Sequence, residues 1–340
     1  MSWRQRVLCS STGLVLALAG NLAQAGPYSS MYVFGDSLSD VGNDAAITGG
    51  AVPLDTIFTN GSVSGRFTNG ANYVDDLAGY LGLSVAPSFL GGTGYAYGGA
   101  RIDSIGVPGG LSFNNQVKAY FASHPGGADP NALYVVWIGA NNMSDAIAAT
   151  LGGDAAAIGT QTSATLGAIG AAIGSLAASG ARHFLVPNLP DLSLTPAIRF
   201  AHSAALSGLA RGVSSGFNTA LAGVLNDPAF GALDIDLVDV FSAQNFITQN
   251  PALYGFTNVS DACYTGEPDG SPRLGWGTPG LCADPTGYMY FDYQHPTAQL
   301  HTEVARLAFA TLEVPEPTAL SLLFAGLGML AFARRRARRD

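Results

Sequence analysis

Met31-Tyr32-Val33-Phe34 is an aromatic and β-branched run that stops at Gly35-Asp36-Ser37-Leu38-Ser39-Asp40, a sequence rich in turn formers. Three further runs have the same character: Leu133 to Ile138, His183 to Val186, and Ile235 to Val240. Longer segments with helical spacing lie between them, one marked by Leu166, Ile169, Ile173 and Leu176, another by Leu206, Leu209, Val213, Phe217, Leu221 and Val224. Strands alternating with helices predict an α/β fold with three α/β/α layers around a central parallel sheet. A last helix, Ala298 to Leu312, closes the domain with Val304, Leu307 and Ala308 on one face. The Gly170-x-x-x-Gly174 helix resembles a membrane dimerisation motif. Its short apolar run, preceded by Gln161, Thr162 and Ser163, predicts instead a buried helix packed closely on the sheet.

Composition narrows the function. Of 340 residues, 11% are charged and 48% hydrophobic, too few charges for a disordered chain. The net charge of −9 hides an asymmetry, because seven arginines (Arg4, Arg6, Arg334, Arg335, Arg336, Arg338 and Arg339) sit at the two ends. Without them and Asp340, eight basic face twenty-three acidic residues, a net of −15. Such a body repels nucleic acid and anionic bilayers, so a neutral or small partner is expected.

The ends read as addresses. Residues 1–25 combine Arg4 and Arg6, an apolar stretch from Gly13 to Ala19, and Ala23-Gln24-Ala25, the pattern of a secretory signal peptide. Residues 314–340 hold Pro315-Glu316-Pro317, an uncharged run from Thr318 to Ala333 and the arginine cluster. As a helix that run is roughly 24 Å long, slightly short of a hydrocarbon core, and the arginines would stay cytoplasmic. This tail resembles the PEP-CTERM sorting signal of Gram-negative bacteria. The resemblance implies transient inner-membrane anchoring, processing by an exosortase, and delivery to the cell surface or extracellular matrix; a plain C-terminal anchor is the alternative. The body between, residues 26–313, is expected to be one main domain. With Cys9 in the signal peptide, Cys263 and Cys282 remain as a pair in an oxidising compartment, and a structural disulfide is favoured over a metal site for want of a neighbouring histidine.

The chemistry should sit where strands end. Ser37 follows the carboxyl end of the first strand, where open α/β sheets place ligands. Leu133 to Ile138 runs into Gly139-Ala140-Asn141-Asn142, which offers an amide, and Asp292-Tyr293-Gln294-His295-Pro296 offers a histidine with a carboxylate. Gly212-Val213-Ser214-Ser215-Gly216 matches G-x-S-x-G, but it lies inside a helical pattern rather than between a strand and a helix.

Together these segments resemble the GDSL, or SGNH, hydrolase family. Val33 to Asn43 fits its first block, Gly65 to Gly70 the segment that follows, Tyr95 to Ala100 the second block, Gly139 to Asn142 the third, and Asp292 to Thr297 the last. The resemblance implies the family's flavodoxin-like α/β/α fold and a serine esterase or lipase without metal or cofactor, acting on a small-molecule or lipid ester. Ser37 would be the nucleophile, His295 the base and Asp292 its orienting carboxylate. The oxyanion donors would be the Ser37 N–H, the Asn141 amide and a glycine N–H, with Gly99 preferred to Gly98. Asn142 and Tyr97 depart from the family pattern and bear on substrate. Asp36 and Asp40 are expected to bind loop amides, with Arg66 a partner for one of them, and Arg101 and Asp103 to form a solvated ion pair in preference to lining the pocket. His124, His183, His202 and His301 are expected to be structural. Two alternatives stay open: a deacetylase of extracellular polysaccharide, with Tyr95, Tyr97 and Tyr254 as candidates to stack on sugars, and a non-catalytic matrix-binding protein.

Overall fold

The computed structural model describes residues 27–60 and 63–312, so the expected signal peptide and sorting tail lie outside the described residues. In chain order the elements are β1 (Met31–Gly35), α1 (Asn43–Thr48), β2 (Thr59–Asn60), β3 (Val63–Ser64), α2 (Tyr73–Tyr80), α3 (Phe113–Ser123), β4 (Leu133–Trp137), α4 (Ala140–Leu151), α5 (Ala157–Ser179), β5 (His183–Pro187), α6 (Pro196–Arg199), α7 (Ala204–Leu225), β6 (Asp234–Val238), α8 (Val240–Gln249), β7 (Asn258–Ala262), β8 (Tyr288–Tyr290) and α9 (Ala298–Thr311).

The central sheet has the order β1-β4-β5-β6, all parallel. An irregular strand-like segment extends it past β1: the Val33 N–H donates to the Thr93 carbonyl at 3.1 Å and the Tyr95 N–H to the Val33 carbonyl at 2.7 Å. Gly94 permits this approach, since a Cβ there would lie 2.5 Å from Val41 Cγ2. Counting the segment as the second strand gives the order 2-1-3-4-5, the flavodoxin-like arrangement. It also carries Gly98 and Gly99 to the carboxyl end of β1.

Burial explains the strand sequences. Every residue of the central strand β4 is buried, as expected of a parallel strand covered on both faces. The edge strand β6 is partly exposed and carries Asp234 and Asp236, charges that discourage further pairing. It ends at Val238 rather than at Val240, because the Asp239 carboxylate accepts the Ser242 N–H at 3.1 Å and caps α8.

The stripe Leu166, Ile169, Ile173 and Leu176 of α5 lies in the main core, where each fully buried side chain of this size stabilises by about 1.5–3 kcal/mol. Gly170 and Gly174 of this helix lie on the side toward α7 and the turn after it. A Cβ on Gly170 would lie 3.4 Å from Val224 of α7, and one on Gly174 3.8 Å from Phe230, so the small face lets α7 and the turn after it come close. On α9, Ala305 is buried with Val304 and Ala308, while Leu307 is only partly covered. Ser214 sits buried in the interior of α7, where its hydroxyl accepts the Leu192 N–H at 3.2 Å.

Cys263 and Cys282 are disulfide-bonded with Cα atoms 4.9 Å apart. The bond closes the Gly- and Pro-rich segment onto the end of β7. Since β7 pairs with β8, the same small sheet anchors the strand that leads into Asp292.

Candidate active site

Ser37 stands in a turn held from all sides. A Cβ on Gly35 would lie 2.4 Å from the Trp137 carbonyl, so only glycine fits where β1 passes β4. The Gln116 side chain brackets Gly35, accepting its N–H at 2.9 Å and donating to its carbonyl at 2.8 Å. After the strand, Asp36 accepts the Leu38 N–H at 3.0 Å, and Asp40 accepts the N–H groups of Gly42 and Asn43 at 2.7 and 2.6 Å. Both carboxylates serve loop amides, as the sequence suggested.

The histidine arrives from the far end of the chain. Beyond β8, Asp292 Oδ1 accepts the N–H groups of Gln294 and His295 at 2.8 and 2.7 Å, an Asx-type turn that fixes the loop. Its Oδ2 lies 2.6 Å from His295 Nδ1, and His295 Nε2 lies 2.8 Å from Ser37 Oγ. The relative exposures are 6% for Ser37, 2% for His295 and 0% for Asp292, so this chain of contacts is shielded from water. With Nδ1–H given to the carboxylate, Nε2 is the acceptor that faces the serine hydroxyl. Phe67 packs on the imidazole with ring centroids 5.2 Å apart.

Three donors converge on the same place. Asn141, in the first turn of α4, uses its amide nitrogen on the Ala100 carbonyl at 3.1 Å and has a second N–H to give. The Gly98 N–H is committed to Asp40 at 3.3 Å, whereas among the described residues neither the Gly99 nor the Ser37 N–H donates to a protein acceptor. Gly99 has φ +64° and a Cβ there would lie 2.7 Å from Gly106 Cα, so glycine is required twice over.

The carboxyl groups around the turn are unusual. Burial pushes Asp36 up to about 6, against the Leu38 N–H and the nearby His295 and Arg101. Burial likewise raises Asp40 to about 6, and burial plus the Asp40 charge raises Asp44 to about 9, leaving it protonated at neutral pH. A raised folded-state value means that the folded protein holds protons the unfolded chain has released, so stability falls as pH rises from ~4 through these values. Asp44→Asn keeps the shape and the neutral charge. It should flatten the loss of thermal stability between pH 6 and pH 9, read as Tm by circular dichroism; a slope equal to that of the wild type would refute the assignment. His301 is shifted the other way, to about 3, by burial, and stacks on Tyr73 as a neutral ring.

Two cavities meet at Ser37, Asn141 and His295. One, of about 290 Å3, is walled mainly by aliphatic side chains of α4, α6, α8 and α9. The other, of about 560 Å3, is bordered by Gly98, Gly99 and charged residues.

Residues 31–308 match the GDSL-like lipase/acylhydrolase family. The chain belongs to that family. It is 34% identical to Lipase 1 of Photorhabdus luminescens over 194 residues, which cover 57% of this chain and 27% of that one. It is 29% identical to Esterase EstA of Pseudomonas aeruginosa over 330 residues, covering 86% and 48%, and 27% identical to a GDSL esterase/lipase of Arabidopsis thaliana over 315 residues, covering 78% and 82%. The chain thus spans about a quarter of the length of the Photorhabdus relative and about half that of the Pseudomonas one. Residues 313–339 match the PEP-CTERM protein-sorting motif, which indicates export and membrane-associated sorting in Gram-negative bacteria.

In this GDSL-family chain several expectations need correction. Arg66 pairs with Asp75, at 2.7 Å, and not with Asp36 or Asp40, because Asp75 also closes the capping box of α2 beside it. Arg101 pairs with Asp145 of α4 at 2.7 Å rather than with Asp103. Tyr95 and Tyr97 are buried; Tyr95 stacks on Phe34, and neither ring is free to meet a sugar. Tyr254 packs on the small core around Ile247 and lines neither cavity. Asn142 lies behind the site, accepting the Ile102 N–H at 3.3 Å and donating to Gln161 at 3.2 Å. His124 stacks on Tyr120, His183 pairs with Asp234, and His202 stands in a surface turn, so His295 alone of the five histidines touches Ser37. Sequence reading missed Gln116, Asp145 and Arg273, which come from segments with no motif of their own, and gave no role to Tyr293 within the last block.

Proposed function

We propose that this chain is an exported serine hydrolase that cleaves carboxylic esters through an acyl-enzyme on Ser37, its hydrolase body being residues 26–313. The observation that carries the reading is the buried, continuous contact from Asp292 through His295 to Ser37, at 2.6 and 2.8 Å. A serine hydroxyl is a weak nucleophile until a base takes its proton. As Ser37 Oγ attacks the ester carbonyl carbon, its proton passes to His295 Nε2, and Asp292 stabilises the imidazolium that results. The oxyanion receives the N–H groups of Ser37 and Gly99 and the Asn141 amide, each such donor worth about 3 kcal/mol in the transition state. His295 then protonates the leaving alcohol oxygen as the carbon–oxygen bond breaks. A water molecule, deprotonated by the same nitrogen, attacks the acyl-enzyme and restores Ser37. No step requires a metal or cofactor.

For delivery, the sorting motif at 313–339 supports processing near Pro315-Glu316-Pro317 by an exosortase and release to the cell surface or matrix. One experiment covers both parts. Protein recovered from the surface of its host, treated with a fluorophosphonate and analysed by mass spectrometry, should carry the adduct on Ser37 and yield no peptide from Thr318 to Asp340. An adduct on Ser214 would sink the nucleophile assignment, and an intact tail recovered from the inner membrane would favour a permanent anchor.

A further inference from the structure

The two cavities that meet at Ser37 differ in chemistry, and the difference describes a substrate. The first is apolar, with Leu38, Ile147, Ile198, Ile247, Leu300 and Val304 among its walls. Nothing in an acetyl group would use that surface. An apolar cavity of about 150 Å3 accepts a benzene ring, so the roughly 290 Å3 here accommodates on the order of ten carbons. The walls come from four separate helices, and the volume between them is that of one such chain.

The second cavity shares Ser37, Asn141 and His295 with the first and is mostly lined by different residues. Its charges come as pairs: Arg101 with Asp145 at 2.7 Å and Arg273 with Glu267 at 2.8 Å, with Asp269 beside them. Two cations are outnumbered by three carboxylates, on a body that is already strongly acidic. A phosphate or carboxylate head would be repelled here. Hydroxyl groups, which donate and accept at once, match a wall of alternating guanidinium and carboxylate groups. Arg273 borders both cavities, its guanidinium 3.4 Å above the Tyr293 ring, and so marks the boundary between the apolar and the polar half.

We propose that the substrate is a single-chain acyl ester of an uncharged polyol, with an acyl group of about eight to twelve carbons in the apolar cavity and the polyol leaving through the polar one. This rests on the acyl-enzyme reading of Ser37 and goes beyond it by naming both halves of the substrate. It also places the acetylated polysaccharide among poor substrates, because the acyl cavity would stay empty.

The test uses the purified protein and monomeric substrates below their micelle concentrations. Each methylene buried should raise kcat/KM about fourfold, so p-nitrophenyl decanoate should exceed p-nitrophenyl acetate by at least ~100-fold. Monodecanoyl glycerol should exceed monodecanoyl glycerol phosphate by at least about tenfold. Ile198→Trp, which narrows the apolar slot, should lower the decanoate-to-acetate ratio about tenfold. A flat or falling dependence on chain length, an unchanged ratio in Ile198→Trp, or a preference for the phosphate would overturn the proposal. Failure of every ester together with no fluorophosphonate adduct on Ser37 would instead count against the acyl-enzyme reading on which it rests.

Discussion

Ser37→Ala should lower kcat on p-nitrophenyl esters by several orders of magnitude, up to ~10⁶ by analogy with other serine triads, while circular dichroism and Tm stay near those of the wild type. Among the described residues the hydroxyl has one side-chain hydrogen-bond partner, His295 Nε2 at 2.8 Å, and the turn itself is held by Asp36, Asp40 and Gln116 through backbone groups that the substitution leaves alone. The loss therefore falls on chemistry rather than on folding. The oxyanion donors remain, so a residual rate above that of water, ~10³ to 10⁴-fold, should persist. Adding His295→Ala to Ser37→Ala should cost almost nothing further, since residues that act as one unit are non-additive. Turnover near the wild-type level in the folded Ser37→Ala protein would remove Ser37 from the mechanism.

The second large effect is expected at the carboxylate. Asp292 does two jobs with two oxygens: Oδ1 holds the N–H groups of Gln294 and His295, and Oδ2 faces His295 Nδ1. In Asp292→Asn the amide oxygen keeps the backbone bonds, so the loop should survive. The amide NH2 then faces Nδ1 and makes it an acceptor, which moves the ring proton to Nε2. That tautomer offers Ser37 a proton when it should take one, and the amide cannot stabilise an imidazolium. A fall in kcat of as much as ~10⁴ follows, with a smaller effect on KM. His295→Ala should cost more, because no base remains. If Asp292 served only the loop, Asp292→Asn would lower Tm and leave kcat near that of the wild type. The deciding measurement is kcat and KM for both variants, with circular dichroism to establish folding; undiminished turnover in folded His295→Ala would defeat the mechanism whatever Ser37→Ala shows.

Much of this protein is written locally in its sequence. Strand runs that end in turn formers set Met31, Leu133 and His183 on parallel strands, because apolar periodicity and Gly or Asp punctuation act over a few residues. The last strand ends before its apolar run does for the same local reason: Asp239 is a good helix cap, and capping α8 stops β6 at Val238. Family blocks marked Ser37, Asn141, Asp292 and His295, and the segments around Ser37 and His295 hold their turns with their own side chains, as Asp292 does before His295. What sequence could not supply is pairing at a distance. Arg66 with Asp75, Arg101 with Asp145, and Gln116 around Gly35 depend on which surfaces the sheet brings together. The Gly98 N–H is given to the Asp40 carboxylate, fifty-eight positions away, which leaves the Gly99 N–H for the proposed oxyanion. The apolar cavity beside Ser37 is the clearest case. Ile147, Ile198, Ile247 and Val304 each belong to an ordinary amphipathic helix, and only the packing of four helices around Ser37 leaves a cavity among them, since a cavity is a property of surfaces that meet and of no single segment.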